Sequence, residues 1–205
     1  MRETVGVSDF RRRLILASSS PRRQTLLREA GFEFELAAPE VDEESRPGEK
    51  PEAQARRLAL TKAHCVAERT RRDACVLAAD TLVVLDGCVF GKPRNEAEAA
   101  QMLLRLAGRC HRVLTGYALL VAGTDLCEVG VEESRVKLRP VGPEEAQAYA
   151  ASGEPLDKAG AYAVQGEGGR FVESIAGSRS NVIGLPLEAV VPRLEKLAVR
   201  AQCRS

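Results

Sequence analysis

The chain has 205 residues, 44% of them hydrophobic and 29% charged, with a formal net charge of +1. These are the proportions of an ordinary globule of one domain with ample chain for a buried core. The near-neutral balance gives no support to a surface that coats nucleic acid, and no apolar run approaches the ~20 residues of a membrane span. The arginines of the first 13 residues are followed by no apolar stretch beyond "LILA", so no secretory signal is read there. Six cysteines (Cys65, Cys75, Cys88, Cys110, Cys127 and Cys203) form no CxxC pair and no metal-ligand rhythm. The expectation is reduced thiols in a cytoplasmic protein.

Residues 13–17, "RLILA", read as a short buried strand. Ser20 then suits an N-cap, Pro21 a first helical residue and Gly31 a stop. In "FEFELA" the alternation of Phe32, Phe34 and Leu36 with glutamates predicts a strand. A polar loop, "PEVDEESRPGEKP", leads into a helix over 51–69 with Ala55, Leu58, Ala59, Lys62 and Val66 on one stripe. "CVLAADTLVVLDG" is the longest strand signal, and Asp86-Gly87 predicts a hairpin. Asn95 caps a further helix, with Glu98 placed as in a capping box, and that helix ends before Gly108. Strands are expected over 111–122 and 127–139, then a short helix over 143–151. The stretch 152–187 is glycine-rich and irregular with short strands, and a last helix runs over 187–199. No repeat, low-complexity segment or linker interrupts the chain. Interleaved strands and helices give an α/β class, and the hairpins require a mixed sheet rather than an all-parallel one.

The common glycine-rich phosphate motifs are absent. "GCVFGKP" is one residue short of a P-loop and carries Pro93 in place of Ser/Thr, while "GEGG" at 166–169 is not GxGxxG. Phosphate chemistry here must use side-chain cations and carboxylates. In "LASSSPRR", Ser18, Ser19 and Ser20 lie between a strand and a helix N-terminus, where free N–H groups make an anion site. Arg22 and Arg23 add forked donors suited to phosphate oxygens, where solvated arginines are the plainer alternative. Lys62 occupies the apolar stripe of its helix, so it either snorkels to the rim or points into a cleft that holds negative charge. Lys92, in "GKP", reads by itself as a solvated turn lysine. Asp80 interrupts an apolar strand, where a carboxylate costs several kcal/mol unless it is paired or bound to metal. The acidic loop supplies Glu40, Asp42, Glu43 and Glu44, either as a solvated run or as oxygen ligands for a hard cation. His64 and His111 have no partner pattern and read as structural.

Taken in order, "LASSSPRR", "VDEE", "RLALTKA", "AADTLV", "GKP", "GRCHRVLTG", "DKAGAYAVQG" and "SNVIGLPL" resemble the Maf family of nucleoside triphosphate pyrophosphatases, from about Arg13 to Leu197. The resemblance implies a two-lobed α/β fold of Maf/ITPase-like type, with a strongly twisted mixed sheet flanked by helices and a central cleft. It divides the chain into an N-terminal extension (1–12), one catalytic domain in two lobes (13–199) and a tail (200–205). It implies cleavage of a nucleotide between its α- and β-phosphates, releasing the monophosphate and pyrophosphate. The family's functional positions fall on Ser18, Arg22, Glu43, Lys62, the catalytic Asp80 and Lys92. A branch similar to dTTP/UTP pyrophosphatases has an arginine after SP, a threonine after the aspartate and a glutamine before a glycine, which here are Arg22, Thr81 and Gln165. The sister branch acting on 7-methyl-GTP carries an aromatic residue and a glutamine at the first two of these positions, and this chain matches neither. Ala163 stands where glycine is common.

A glutamine amide offers an acceptor and donors that match the N3–H and a neighbouring carbonyl of thymine or uracil. Glu43 and Asp80 are candidate ligands for a divalent cation, Mg²⁺ or alternatively Mn²⁺ or Co²⁺. Whether Asp80 is a metal ligand or the general base is open from the residues; the resemblance favours the base. It further implies a homodimer, removal of modified pyrimidine nucleotides such as 5-methyl-UTP and pseudo-UTP, and a link to arrest of cell division. A nucleotide-binding division regulator without turnover is the rival reading from another class.

Overall fold

The computed structural model describes residues 12–71 and 73–199; the expected N-terminal extension, apart from Arg12, and the tail over 200–205 lie outside them. Strands β1 (Leu14–Ala17), β2 (Glu35–Leu36), β3 (Cys75–Leu85), β4 (Cys88–Phe90), β5 (Cys110–Val121), β6 (Cys127–Leu138) and β7 (Val172–Ala176) form a seven-stranded sheet. Its order is β2-β1-β3-β5-β6-β7, with β4 paired to β3 off that path. β1 runs parallel to β2 and β3, and every other pairing is antiparallel. The sheet is therefore mixed, as the hairpins require. Helices α1 (Pro21–Glu29), α2 (Pro51–Ala67), α3 (Glu96–Leu106), α4 (Pro143–Ala151), α5 (Arg179–Ile183) and α6 (Leu187–Lys196) flank it.

Local chemistry explains most boundaries. Gly31 takes a φ of +86°, and α1 closes with the N–H of Gly31 on the Arg28 carbonyl and that of Phe32 on the Leu27 carbonyl. This paired closure turns Phe32 back into the core, where it is 2% exposed. The expected strand over "FEFELA" is corrected accordingly: only Glu35–Leu36 pairs with β1, because Phe32 belongs to the end of the helix. Ser20 occupies the N-cap of α1 but its side chain makes no capping bond; the Ser18 hydroxyl accepts the Ser20 N–H instead, at 3.1 Å. Asn95 caps α3 by accepting from the Glu98 N–H at 2.9 Å, while the Glu98 carboxylate returns to the N–H of Arg94, one residue before the cap. Asp86 and Gly87 both have positive φ, the requirement of the tightest hairpin turn. The stretch expected to be irregular contains three 3₁₀ turns (Glu154–Asp157, Ala159–Ala161, Glu167–Phe171), β7 and also α5, too short for periodicity to reveal.

The two faces of the long strands carry different cores. On one face, Leu77, Ala79 and Tyr117 pack with α1 and α6, and Val83 and Val113 pack with α3 and α4. On the other, α2 lies along the strands, its Ala59, Ala63 and Val66 against Val76 and Ala78 and its Ala55 against Leu82 and Leu114. β3 and β5 are buried on both sides, so they read as near-continuous apolar runs. Gly116, opposite Asp80 on β5, lets α2 lie this close: a Cβ there would stand 2.1 Å from the Ala55 carbonyl oxygen. That obstacle is helix backbone and cannot rotate away. Gly116→Ala is expected to lower unfolding free energy by about 1–3 kcal/mol, as overpacking does. Urea unfolding of the variant beside the parent measures it, and an unchanged midpoint would contradict this contact.

Candidate active site

The site begins as a gap in the sheet. β1 pairs with β3 only as far as Ala17 and Ala78, and β4 takes up the same edge of β3 from Val83. Residues 79–82 therefore have a strand neighbour on the β5 side alone. At this gap the carboxyl end of β1 delivers Ser18, Ser19 and Ser20 into the N-terminus of α1, the position where open α/β sheets place ligands. The resulting cleft has a volume of about 620 Å³. Ser18, Arg22, Arg23, Glu43, Lys62, Asp80, Thr81, Lys92 and Gln165 all line it.

Asp80 and Lys62 meet on the α2 face. Lys62 Nζ lies 2.6 Å from Asp80 Oδ1 and 2.6 Å from Glu43 Oε1. Both Lys62 and Asp80 are buried, at 6% and 7% exposure, while Glu43 reaches in from the exposed acidic loop. The lysine on the apolar stripe thus points into a cleft of negative charge rather than out to the rim. Partial burial pushes the Glu43 carboxyl up, but the Lys62 hydrogen bond and the charges of Lys62, Lys92 and Arg23 outweigh it, leaving the group below its ordinary 4.5. Two of the three ammonium protons of Lys62 are engaged by carboxylates, and the third is left for a further acceptor.

The adjacent arginines divide their labour. Arg23 donates from Nε to the Gly184 carbonyl at 2.8 Å, from Nη1 to Ser18 Oγ at 3.3 Å and from Nη2 to Thr81 Oγ1 at 3.1 Å. It straps α1 to β3 and to the end of α5; burial lowers its pKa, with Asp80 acting in opposition. The Thr115 hydroxyl donates to the Asn181 carbonyl at 2.9 Å and lies 3.0 Å from Thr81 Oγ1. Its single proton being committed, Thr81 must donate to Thr115, so the Thr81 oxygen presents only lone pairs to Arg23 and the cleft. Arg22, by contrast, reaches Asp157 Oδ2 at 3.4 Å, a loose and partly exposed pair. Lys92 and Gln165 are exposed on the wall built after β4 and around residues 157–165.

Several cleft residues escaped the sequence reading. Asp157, Lys158 and Tyr162 line the wall, and Lys158 is anchored on the Glu154 carbonyl and on Asp157, each at 2.5 Å. Their signal was the string "DKAGAY" inside an irregular region, where no periodicity marks a face. Thr115 and Asn181, both fully buried, gave no signal beyond being polar in apolar surroundings. His111 is 2% exposed, with Nε2 2.7 Å from the Tyr162 hydroxyl and Nδ1 unpartnered. Among the described residues no group of three or more His, Cys, Asp or Glu side chains is arranged to hold a metal, five cysteines are free thiols, and no helix is long and apolar enough to cross a membrane. Cys203 lies outside the described residues.

A strand end, a helix N-terminus, five cations and a carboxylate pair surround one cleft, the set of donors suited to a polyanion with two carboxylates at its base. Comparison with known proteins is consistent with this class and narrower. The family model described as "Maf-like protein" matches residues 13–197, and the chain belongs to that family. A protein of Desulfotalea psychrophila named dTTP/UTP pyrophosphatase is 49% identical over 181 residues, 88% of this chain and 92% of its own. Those of the same name from Symbiobacterium thermophilum and Myxococcus xanthus are each 51% identical, over 88% and 89% of this chain and 92% and 91% of their own. Among solved structures, a HAM1 protein from Coxiella burnetii aligns over 90% of this chain and 99% of its own, with a TM-score of 0.49 and 18% identity.

The buried imidazole sets a pH signature. Burial pushes the His111 pKa from 6.5 down to about 4. The unfolded chain therefore binds a proton that the folded protein refuses, and stability falls as pH drops from 6.5 towards 4. The ceiling on this loss is roughly 3 kcal/mol, set by the size of the shift. Denaturant unfolding at pH 7.5, 6, 5 and 4 should show the decline, and His111→Gln should flatten it; an equally steep profile in that variant would assign the pH dependence elsewhere.

Proposed function

We propose that this protein is a nucleoside triphosphate pyrophosphatase that hydrolyses dTTP and UTP to the monophosphate and pyrophosphate. The observation that carries the reading is the buried Lys62 held between Asp80 and Glu43 at the open edge of β3, facing a cation-lined strand end. The names borne by relatives at about half identity point to the same reaction. Arg22, Lys92 and the third proton of Lys62 take the phosphate oxygens, and the N–H groups opening α1 take the remainder. Asp80 receives the proton of a water aligned for in-line attack on the α-phosphorus, with Lys62 fixing its carboxylate. Pyrophosphate is the leaving group. Gln165 meets the N3–H and a carbonyl of the pyrimidine, and the lone pairs of Thr81 exclude a substrate acceptor at that point.

The donor set fits a divalent cation. Lys62, Asp80 and Glu43 sum to one negative charge at the place where a triphosphate must sit, and Mg²⁺ is commonly held by one or two carboxylates plus substrate phosphates. Glu43 would hold it, Asp80 being the alternative ligand where it does not serve as the base, with Mn²⁺ or Co²⁺ as substitutes; when bound the ion would neutralise charge on the phosphates and lower the pKa of water. We further place the protein in the cytoplasm as a homodimer, with modified pyrimidine nucleotides among its substrates; light scattering over a range of concentrations tests the dimer.

Asp80→Asn separates an enzyme from a nucleotide-binding regulator. Removal of a general base is worth ~10²–10⁴-fold, and kcat for dTTP should fall by about that much. Lys62 keeps Glu43 as counter-ion, so the variant should fold and still bind dTTP through Arg22, Lys62 and Lys92. Pyrophosphate release, dTTP affinity and thermal unfolding on one preparation decide it. Near-normal kcat in a folded variant sinks the mechanism, and dTTP binding without turnover in the parent sinks the enzyme itself. Preference for 7-methyl-GTP over dTTP would move the chain to the sister branch.

A further inference from the structure

Behind the wall that carries Gln165, one carboxylate gathers three donors. Glu154 Oε1 accepts from the Tyr149 hydroxyl at 2.8 Å and from the Gly168 N–H at 3.1 Å, and Oε2 accepts from the Glu167 N–H at 3.0 Å. Glu154 itself is not among the residues that line the cleft. Gly166, directly after Gln165, has φ +87° and ψ −158°, a conformation open essentially to glycine alone. A Cβ on Gly166 would stand 2.8 Å from Glu154 Oε2. The carboxylate thus fills the space a side chain would need and pins the two N–H groups that follow.

The anchor is rigid on its other side. Tyr149 is 1% exposed, meets Phe171 edge-on at 5.0 Å between ring centres, and lies so near Gly168 that a Cβ there would be 2.4 Å from its hydroxyl. Burial pushes the Glu154 carboxyl up, but the Gly168 N–H, the Tyr149 hydroxyl, the Glu167 N–H and the Lys158 charge outweigh it and hold it below 4.5. The group is therefore a charged acceptor for all three donors, and bonds to a charged acceptor are the stronger kind.

We propose that Glu154 is a positioning residue for base selection, holding the turn over 165–168 so that Gln165 presents its amide to the pyrimidine edge. This rests on the reading above that Gln165 meets the base. Glutamine at 154 would keep one acceptor oxygen but set an NH₂ donor against a backbone N–H, opening the turn.

UTP and CTP share ribose and triphosphate and differ only at the base edge. Pyrophosphate release from both is measured with the parent protein, Glu154→Gln, Tyr149→Phe and Gln165→Ala. Glu154→Gln should narrow the UTP-to-CTP ratio of kcat/KM by about 10-fold, the equivalent of one mismatched hydrogen bond, chiefly through a higher KM for UTP. Tyr149→Phe deletes one donor with little change of volume and should narrow the ratio in the same direction by less, which keeps the test alive should Glu154→Gln not fold. A parental ratio in both variants, or an equal loss on both nucleotides, overturns the role of Glu154 while a narrowed ratio in Gln165→Ala leaves the assignment of Gln165 standing. A parental ratio in Gln165→Ala removes that assignment, and this proposal with it.

Discussion

A buried ammonium between two carboxylates is the constraint on which the rest of this molecule depends. Taking Lys62 and Asp80 out of water costs several kcal/mol per ion, and their mutual attraction offsets that only with good geometry and further partners. The fold supplies both. α2 brings Lys62 to 2.6 Å from Asp80, the acidic loop adds Glu43 at the same distance, and Gly116 provides the clearance that allows the helix so close. Removal of Lys62 would leave the buried Asp80 carboxylate without its hydrogen-bonded counter-ion, whereas Lys62 itself keeps one carboxylate if the other is lost. The pair therefore constrains the position of α2 as much as α2 creates the pair.

The same level of β3 is polar on its other face. Thr81 meets Thr115 across the ladder, Thr115 meets the Asn181 carbonyl, and the Asn181 amide continues to Ser134 at 2.9 Å and to the Val113 carbonyl at 3.1 Å. This belt divides the apolar packing of that face into a cluster with α1 and α6 and a cluster with α3 and α4. Two lobes on one continuous sheet follow from it. A cleft at the boundary needs no hinge, because the missing strand neighbour of residues 79–82 already opens it.

Legibility in the sequence tracks unbroken local pattern. β1 and β3 were readable as continuous apolar runs and α2 as an apolar stripe at helical spacing, and Lys62 and Asp80 were conspicuous as charges that broke such patterns. The strand expected over 32–36 failed because glycine closure of α1 competes with alternation for Phe32, and tertiary packing decided between them. The residues of the acidic loop showed its charge but not which carboxylate turns inward; only the family resemblance singled out Glu43 from Glu44. As residues Arg22 and Arg23 looked alike, yet Arg23 is a strap within the protein while Arg22 lines the cleft on a loose pair with Asp157, a difference created by Gly184 and Thr81 from distant parts of the chain. Glu154 was invisible for the same reason: its partners, Tyr149, Glu167 and Gly168, assemble only when an aperiodic region folds.

Electrostatic pre-pairing accounts for how a cation-lined cleft exists in a chain of net charge +1. Lys62 is held by Asp80 and Glu43, Arg22 leans on Asp157, and Asp157 is shared with Lys158. Lys62, Arg22 and Lys158 each meet a carboxylate before any polyanion arrives, so self-repulsion among the cleft cations is damped and the fold can bring them together. The pairs differ in how readily they yield. Arg22 to Asp157 is 3.4 Å with a largely exposed acid, and a phosphate can displace it at little cost, whereas Lys62 to Asp80 is 2.6 Å and buried on both sides. A polyanion entering the cleft would meet movable charges at the mouth and a fixed one at the base, where a carboxylate is immobilised beside open space.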